Sequence, residues 1–199
     1  MGKIVLLMGK SSTGKDTIYK NLMTDEKLGL TKIILYSTRP MRQGETDGIQ
    51  YFFTNEDKYE EMKRNGKIIE ERTYQTNYGP WRYFTADDGQ IKIKDSKIYL
   101  MIGTLESYSS LRGYYGAENI IPVLIESDDR IRMERAMKRE AKQENPKYDE
   151  LCRRFLSDEE DFSKDKIDAL GISETIMNNG TKEECLDAVK SFIEVKGGN

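Results

Sequence analysis

The start of the chain constrains its fold more than any other stretch. Ile4-Val5-Leu6-Leu7-Met8 is a short continuous apolar run, and Gly9-Lys10-Ser11-Ser12-Thr13-Gly14-Lys15 follows it directly. Ile18, Leu22 and Met23 then recur at helical spacing. A continuous apolar run of this kind suits a strand buried on both faces of a parallel sheet. The spacing after Lys15 predicts a helix with one buried face that stops near Gly29. A strand covered on both faces needs partner strands and covering helices, so the opening predicts a parallel α/β architecture.

The loop between strand and helix fits G-x-x-x-x-G-K, a phosphate-binding pattern. Gly9 and Gly14 let the backbone N–H groups of Ser11, Ser12 and Thr13 curl round an anion, the helix start adds partial positive charge, and Lys15 reaches the bridging and terminal phosphates. The residue after Lys15 is Asp16, where the pattern usually has Ser or Thr, and Thr17 follows. A hydroxyl there normally takes one Mg²⁺ coordination position. Asp16, a hard oxygen donor, and Thr17 are therefore the candidate metal residues; complementing the helix start is an equally good role for Asp16.

Further strands are expected at Ile33–Tyr36, Ile98–Ile102 and Ile120–Ile125, with a last short one over Glu174–Met177. Ser127 is a candidate cap for a charged helix running towards Gln143, and Lys147–Phe162 reads as another helix. Thr181 and Glu184 form a capping box before a helix that carries Cys185, Leu186, Val189, Phe192 and Ile193 on one stripe. The segment from Ser37 to Tyr83 breaks the rhythm with turn signals around Tyr51-Phe52-Phe53 and Ile68-Ile69, which predicts a small antiparallel insertion. The charged stretch from Asp128 lacks a wide apolar stripe and is the candidate moving part.

Composition narrows the chemistry. The chain of 199 residues is 37% hydrophobic and 34% charged, enough for one compact domain with a core. Its net charge of -3 gives no global attraction to nucleic acid or an anionic membrane, so neither is expected as a partner. Histidine is absent, which removes every scheme that needs an imidazole and leaves catalysis to Lys, Arg, Asp and Glu. Cys152 and Cys185 lack C-x-x-C partners, and the first apolar run is too short for a signal peptide or membrane span, so a reduced cytoplasmic location is expected.

A second constellation follows the second expected strand: Thr38-Arg39-Pro40-Met41-Arg42-Gln43-Gly44-Glu45-Thr46-Asp47-Gly48-Ile49-Gln50-Tyr51-Phe52-Phe53. Arg39 and Arg42 can offer forked donors to a phosphate and Tyr51 a hydroxyl. With the phosphate loop ahead of it, this stretch resembles the guanylate kinases, whose acceptor site carries T-R-x-x-R-x-G-E-x-D/N-G-x-x-Y-x-F. The resemblance implies a P-loop NTPase-type parallel sheet flanked by helices: a core over 1–36, 84–127 and 164–199, an acceptor-binding insertion over about 37–83, and a helical lid over about 128–163. It implies ATP as co-substrate, Mg²⁺ as cofactor and GMP or dGMP as acceptor; whether the working state is monomer or homodimer is left open by the sequence. Residue by residue, Arg39, Arg42, Glu45, Tyr51 and Tyr78 would serve the acceptor phosphate. Glu70 would pair with guanine, with Glu71 as substitute where the stretch is shortened. Arg135, Arg139 and Arg154 would be the lid arginines that act with Lys15 and Arg39 in catalysis, and Asn178 would lie near adenine.

Departures from the family accompany these matches. Its two hydroxyl contacts to guanine O6 fall here on Leu35 and Pro80, and its acidic pair at a strand end reads Met101-Ile102-Gly103. Two other readings compete. Ribose bisphosphate kinases share Gly-Lys-Asp in the loop but lack the Arg-x-x-Arg-x-Gly-Glu stretch. Non-catalytic phosphopeptide-binding modules of the same fold usually lose the loop lysine, which is present here as Lys15.

Overall fold

The computed structural model describes residues 1–76 and 79–198. In chain order they form β1 (Lys3–Met8), α1 (Lys15–Met23), β2 (Thr31–Lys32), β3 (Tyr36–Ser37), β4 (Phe52–Phe53), α2 (Glu56–Arg64), β5 (Ile68–Thr76) and β6 (Gly79–Ala86). The second half adds β7 (Ile98–Ile102), α3 (Leu105–Tyr115), β8 (Ile120–Glu126), α4 (Asp129–Glu140), α5 (Tyr148–Asp161), α6 (Lys164–Ala169), β9 (Thr175–Met177) and α7 (Lys182–Gly197).

Five parallel strands in the order β2-β7-β1-β8-β9 make the main sheet. With β1 between β7 and β8, Ile4 to Met8 have no exposed surface. The pleat sends Ile4, Leu6 and Met8 to one layer, with Tyr99, Met101, Leu105 and Leu124. Val5 and Leu7 go to the other, with Ile18 and Leu22 of α1 and Cys185, Val189 and Ile193 of α7. Burying each aliphatic side chain contributes about 1.5–3 kcal/mol, which is why this central run organises both layers. The capping box at Thr181 is formed, and its helix packs its apolar stripe on the sheet.

A second sheet, in the order β4-β3-β6-β5, is antiparallel except that β3 and β4 run parallel. One of its faces is covered by α2, whose Tyr59 and Met62 pack on Phe84 and Ala86. This helix is absent from the expectations above. It is highly charged, but Asn55 Oδ1 accepts from Lys58 N at 2.9 Å to cap it, and Tyr59 and Met62 lie one turn apart.

Several expected elements are corrected. Ile33–Tyr36 is not one strand: Thr31–Lys32 pairs with β7, Tyr36–Ser37 belongs to the second sheet, and the residues between cross from one to the other. Ile33 sinks into the core while the Ile34 N–H donates to Gln90 Oε1, so apolarity here serves a crossover rather than a ladder. The first helix ends at Met23, before a 3-10 turn over Glu26–Leu28. Ser127 does not cap α4; the N-cap is Asp128, and the Ser127 hydroxyl donates to Asn178 O at 2.8 Å.

Candidate active site

The loop from Gly9 to Gly14 leaves β1 and enters α1. Gly9 has φ +147°, and a Cβ there would stand 2.2 Å from the Ile125 carbonyl oxygen, so only glycine fits. Gly14, at φ +91°, is the N-cap of α1, where a Cβ would meet Asn178 Nδ2 at 2.4 Å. No side chain caps this helix; Thr17 N donates to Gly14 O at 2.9 Å, which leaves the Lys15 and Asp16 amides at its start for an anion. Ser12 is held at φ 65° with its hydroxyl buried and without a partner among the described residues. Asn178 Nδ2 donates to Thr13 O at 2.7 Å, which ties β9 to the loop. The Lys15 ammonium donates to Lys10 O at 3.3 Å; burial pushes its pKa below the ordinary lysine value, against the pull of Asp16 and Asp158.

Above the loop lies the α4–α5 pair. The Ser11 amide already donates to an anion, Asp158 Oδ2 at 2.8 Å, and Lys10 pairs with Glu159. Arg132, 1% exposed, ties the arrangement together: it donates to Ser11 O, Asp129, Asp158 and Glu159 and stacks on Phe155 with its guanidinium carbon 4.4 Å from the ring centre. Arg139 and Arg154 line a narrow pocket with Ser11 and Ser12. Arg135 donates to the Ser127 hydroxyl at 3.2 Å. Arg139 and Arg154 therefore stand beside the loop, Arg154 also lying 3.6 Å from Glu150, while Arg135 is engaged with Ser127.

The second sheet presents its other face to the core. Arg39, 4% exposed, is gripped at 2.7 and 2.6 Å by the two carboxylate oxygens of Glu45, which also accepts from the Arg42 amide. The Arg39 guanidinium lies 5.2 Å from the Tyr51 ring centre and 5.1 Å from that of Phe53. This clamp orders Arg39 before any ligand arrives. Burial raises the Tyr51 pKa, keeping its hydroxyl a donor, and Arg42 is exposed.

The two candidate glutamates part company at an irregularity in β5. Ile68 pairs with Ala86 and Glu70 with Thr85, so Ile69 is an extra residue that resets the side-chain alternation. Glu70 is 5% exposed and accepts from Thr85 Oγ1 at 2.8 Å and Ser107 Oγ at 3.0 Å. Glu71 turns to the opposite face, bound by the Tyr59 hydroxyl and by Lys63 Nζ at 2.9 Å. Leu35 packs against the main core, and Pro80 is exposed at the start of β6. Tyr78 lies outside the described residues.

A sequence model described as guanylate kinase matches residues 1–195. The chain belongs to the guanylate kinase family. Guanylate kinases from Mycoplasmoides gallisepticum and Bacillus cereus are 38% and 39% identical to it over 77 residues. Those matches span 39% of this chain and 40% and 38% of the relatives, so well under half of each relative is aligned. The crystal structure of guanylate kinase from Anaplasma phagocytophilum superposes with a TM-score of 0.65 at 16% identity, over 99% of this chain and 87% of that one, and shares the fold.

For a guanylate kinase family member, the sequence reading passed over four side chains that the fold brings in: Arg132 and Asp158 against the loop, Thr85 and Ser107 against Glu70. Arg132 carried a faint signal, since it precedes Arg135 and Arg139 at the one-turn spacing that keeps all three on adjoining parts of α4. Ser107 carried none, because only the packing of α3 on β5 sets it beside Glu70. Among the described residues, no cluster of His, Cys, Asp or Glu has the arrangement of a metal centre. No described helix is long and apolar enough to cross a membrane.

Proposed function

We propose that this chain transfers the terminal phosphoryl group of ATP to GMP or dGMP. The observation that carries the reading is the Glu70 carboxylate, which is buried and oriented by two hydroxyl donors on the same sheet face as the Arg39–Tyr51 clamp. Each oxygen keeps a lone pair free to accept, which suits the adjacent N1–H and 2-amino hydrogens of guanine.

In this reading the second sheet with α2, about residues 37–83, is the acceptor-binding insertion, and about 128–163 is a lid over a core made of the rest. Gly9, Ser11, Ser12, Thr13 and Gly14 cradle the ATP phosphates, and Asn178 fixes the loop near the adenine. Lys15 neutralises charge growing between the β- and γ-phosphates. Arg39, held by Glu45, joins Arg42, Tyr51 and Tyr78 in orienting the acceptor phosphate, whose oxygen is already a nucleophile, so no general base is needed. Arg135, Arg139 and Arg154 bring donors to the charge that develops in transfer once the lid closes and excludes water.

The donor set at the loop mouth suits Mg²⁺. Asp16 is an exposed hard carboxylate in the first turn of α1 beside Thr17, and a magnesium ion commonly takes one or two carboxylates together with substrate phosphates and water. When bound, the ion would neutralise phosphate charge. Free thiols at Cys152 and Cys185 support a reduced cytoplasmic setting.

A coupled ADP-release assay with ATP, Mg²⁺ and each of GMP, dGMP, AMP, UMP and ribose 1,5-bisphosphate tests the proposal. GMP or dGMP should be the best acceptor, with turnover lost in Lys15→Ala. Preference for ribose 1,5-bisphosphate, or full turnover in the Lys15 variant, would overturn it.

A further inference from the structure

Guanine presents three groups in a row on its pairing edge: O6 accepts, N1–H donates and the 2-amino group donates. A site that reads all three needs a donor, an acceptor and an acceptor in the same order. Glu70 offers the two acceptors, Oε2 and Oε1, each with one lone pair left after the Ser107 and Thr85 hydroxyls have bonded. The donor for O6 comes from neither of the positions where the family places hydroxyls. Leu35 is an aliphatic side chain packed on the main core, and Pro80 has neither a polar side chain nor an amide hydrogen.

Arg72 brings an unpaired donor beside Glu70. It lies two residues along β5 from Glu70, opposite Tyr83, and therefore shares the Glu70 face of the sheet. Its Nε is 3.7 Å from Glu70 Oε2, near enough to pair in charge but too far for a hydrogen bond. That Nε is buried and has no acceptor within hydrogen-bond distance among the described residues. A buried guanidinium N–H without a partner costs stability that a ligand acceptor would restore. On its other side Arg72 borders a cleft of about 560 Å³ shared with Glu71, Tyr74, Glu106 and Lys166, which Glu70 does not line.

We propose that Arg72 is a specificity-determining residue that donates to guanine O6 in place of the family's hydroxyls. Arg72 Nε, Glu70 Oε2 and Glu70 Oε1 form the donor–acceptor–acceptor row that matches guanine. Adenine fails against this row at two points, because its 6-amino hydrogens face the guanidinium and its N1 lone pair faces the carboxylate. The proposal rests on the guanine reading above, and it assigns base selection to a residue pair within one strand rather than to separate hydroxyls.

The test compares GMP, AMP and 6-thio-GMP as acceptors for wild type, Arg72→Met and Arg72→Lys. 6-Thio-GMP keeps N1–H and the 2-amino group but replaces O6 with a weak acceptor. Wild type should favour GMP over 6-thio-GMP by about tenfold or more in kcat/KM. Arg72→Met should lower kcat/KM for GMP roughly tenfold to hundredfold, the range of one hydrogen bond to a charged group, and that for 6-thio-GMP less than threefold. Its GMP-to-AMP ratio should fall, and Arg72→Lys should recover part of it. Equal losses on GMP and 6-thio-GMP would mean that Arg72 only supports Glu70 and would overturn the proposal, as would unchanged GMP kinetics in Arg72→Met. A wild-type ratio of GMP to 6-thio-GMP near one overturns it without recourse to a variant. A wild-type enzyme that turns over neither GMP nor dGMP marks failure of the functional reading itself, while guanylate turnover with an indifferent Arg72 marks failure of this inference alone.

Discussion

Glu45 shows how much of the site depends on single charges. Its two oxygens hold the Arg39 fork and the Arg42 amide, and the Arg39 bond first, then the Arg42 amide, lowers its pKa from 4.5 to about 2. A carboxyl with a depressed folded pKa contributes stability that is complete above its unfolded value and disappears as pH falls towards the folded one. The Tm difference between wild type and Glu45→Gln should therefore be full at pH 7 and close between pH 4.5 and about 2. Thermal melts across that range check it; a constant difference would mean that the carboxylate's charge is not what holds Arg39. The motif pointed to Arg39, Arg42 and Glu45 together, but their pairing with one another came only from the fold. In a sequence they read as parallel ligands of one phosphate, whereas in space one serves to position the others.

At the scale of the element, the irregularity in β5 sends Glu70 and Glu71 to opposite faces of the sheet. Adjacent residues in a strand point to opposite faces, so one inserted residue exchanges the roles of every side chain beyond it. Ile69 is that residue, and Glu70 consequently meets Thr85 and Ser107 while Glu71 is taken up by Tyr59 and Lys63 under α2. Glu70→Gln should lower kcat/KM for GMP by roughly a hundredfold or more, because an amide donor would then face a guanine hydrogen in a buried site. Glu71→Gln should instead lower the melting temperature and leave the KM for GMP nearly unchanged. Steady-state kinetics with GMP and melts of both variants separate the two roles, and a reversed pattern would place the base on the α2 face. The same element-level logic explains the missed helix α2 and the divided Ile33–Tyr36 run. Charge content hid a helix anchored by Tyr59 and Met62, and unbroken apolarity suggested one strand where the chain passes between two sheets.

Across the whole molecule, the α4–α5 pair already rests on the phosphate loop through Asp158, Glu159 and Arg132. On the proposed reading the Asp158 carboxylate stands where a nucleotide phosphate would take the Ser11 amide, so ATP must displace it. Asp158→Asn, which removes the charge and keeps the shape, should tighten ATP binding about tenfold by calorimetry, the equivalent of one charge-assisted bond of ~1.5 kcal/mol. Unchanged or weaker binding would show that this carboxylate supports the loop rather than competing with its ligand. The strand, glycine loop and first helix were legible in the sequence because their signals are local: the apolar run, the two glycines and the helical spacing each act within a few residues. The fold class followed, since a strand buried on both faces admits few architectures. The partners of the site residues were not legible, because β5, β6 and α3 set Glu70, Thr85 and Ser107 together across long stretches of chain. Sequence by itself determined which chemical groups are present and which local turns hold them. Tertiary structure alone decided which face each group occupies and which neighbour meets it, because a one-residue shift in strand register reverses both at no cost to composition or motif.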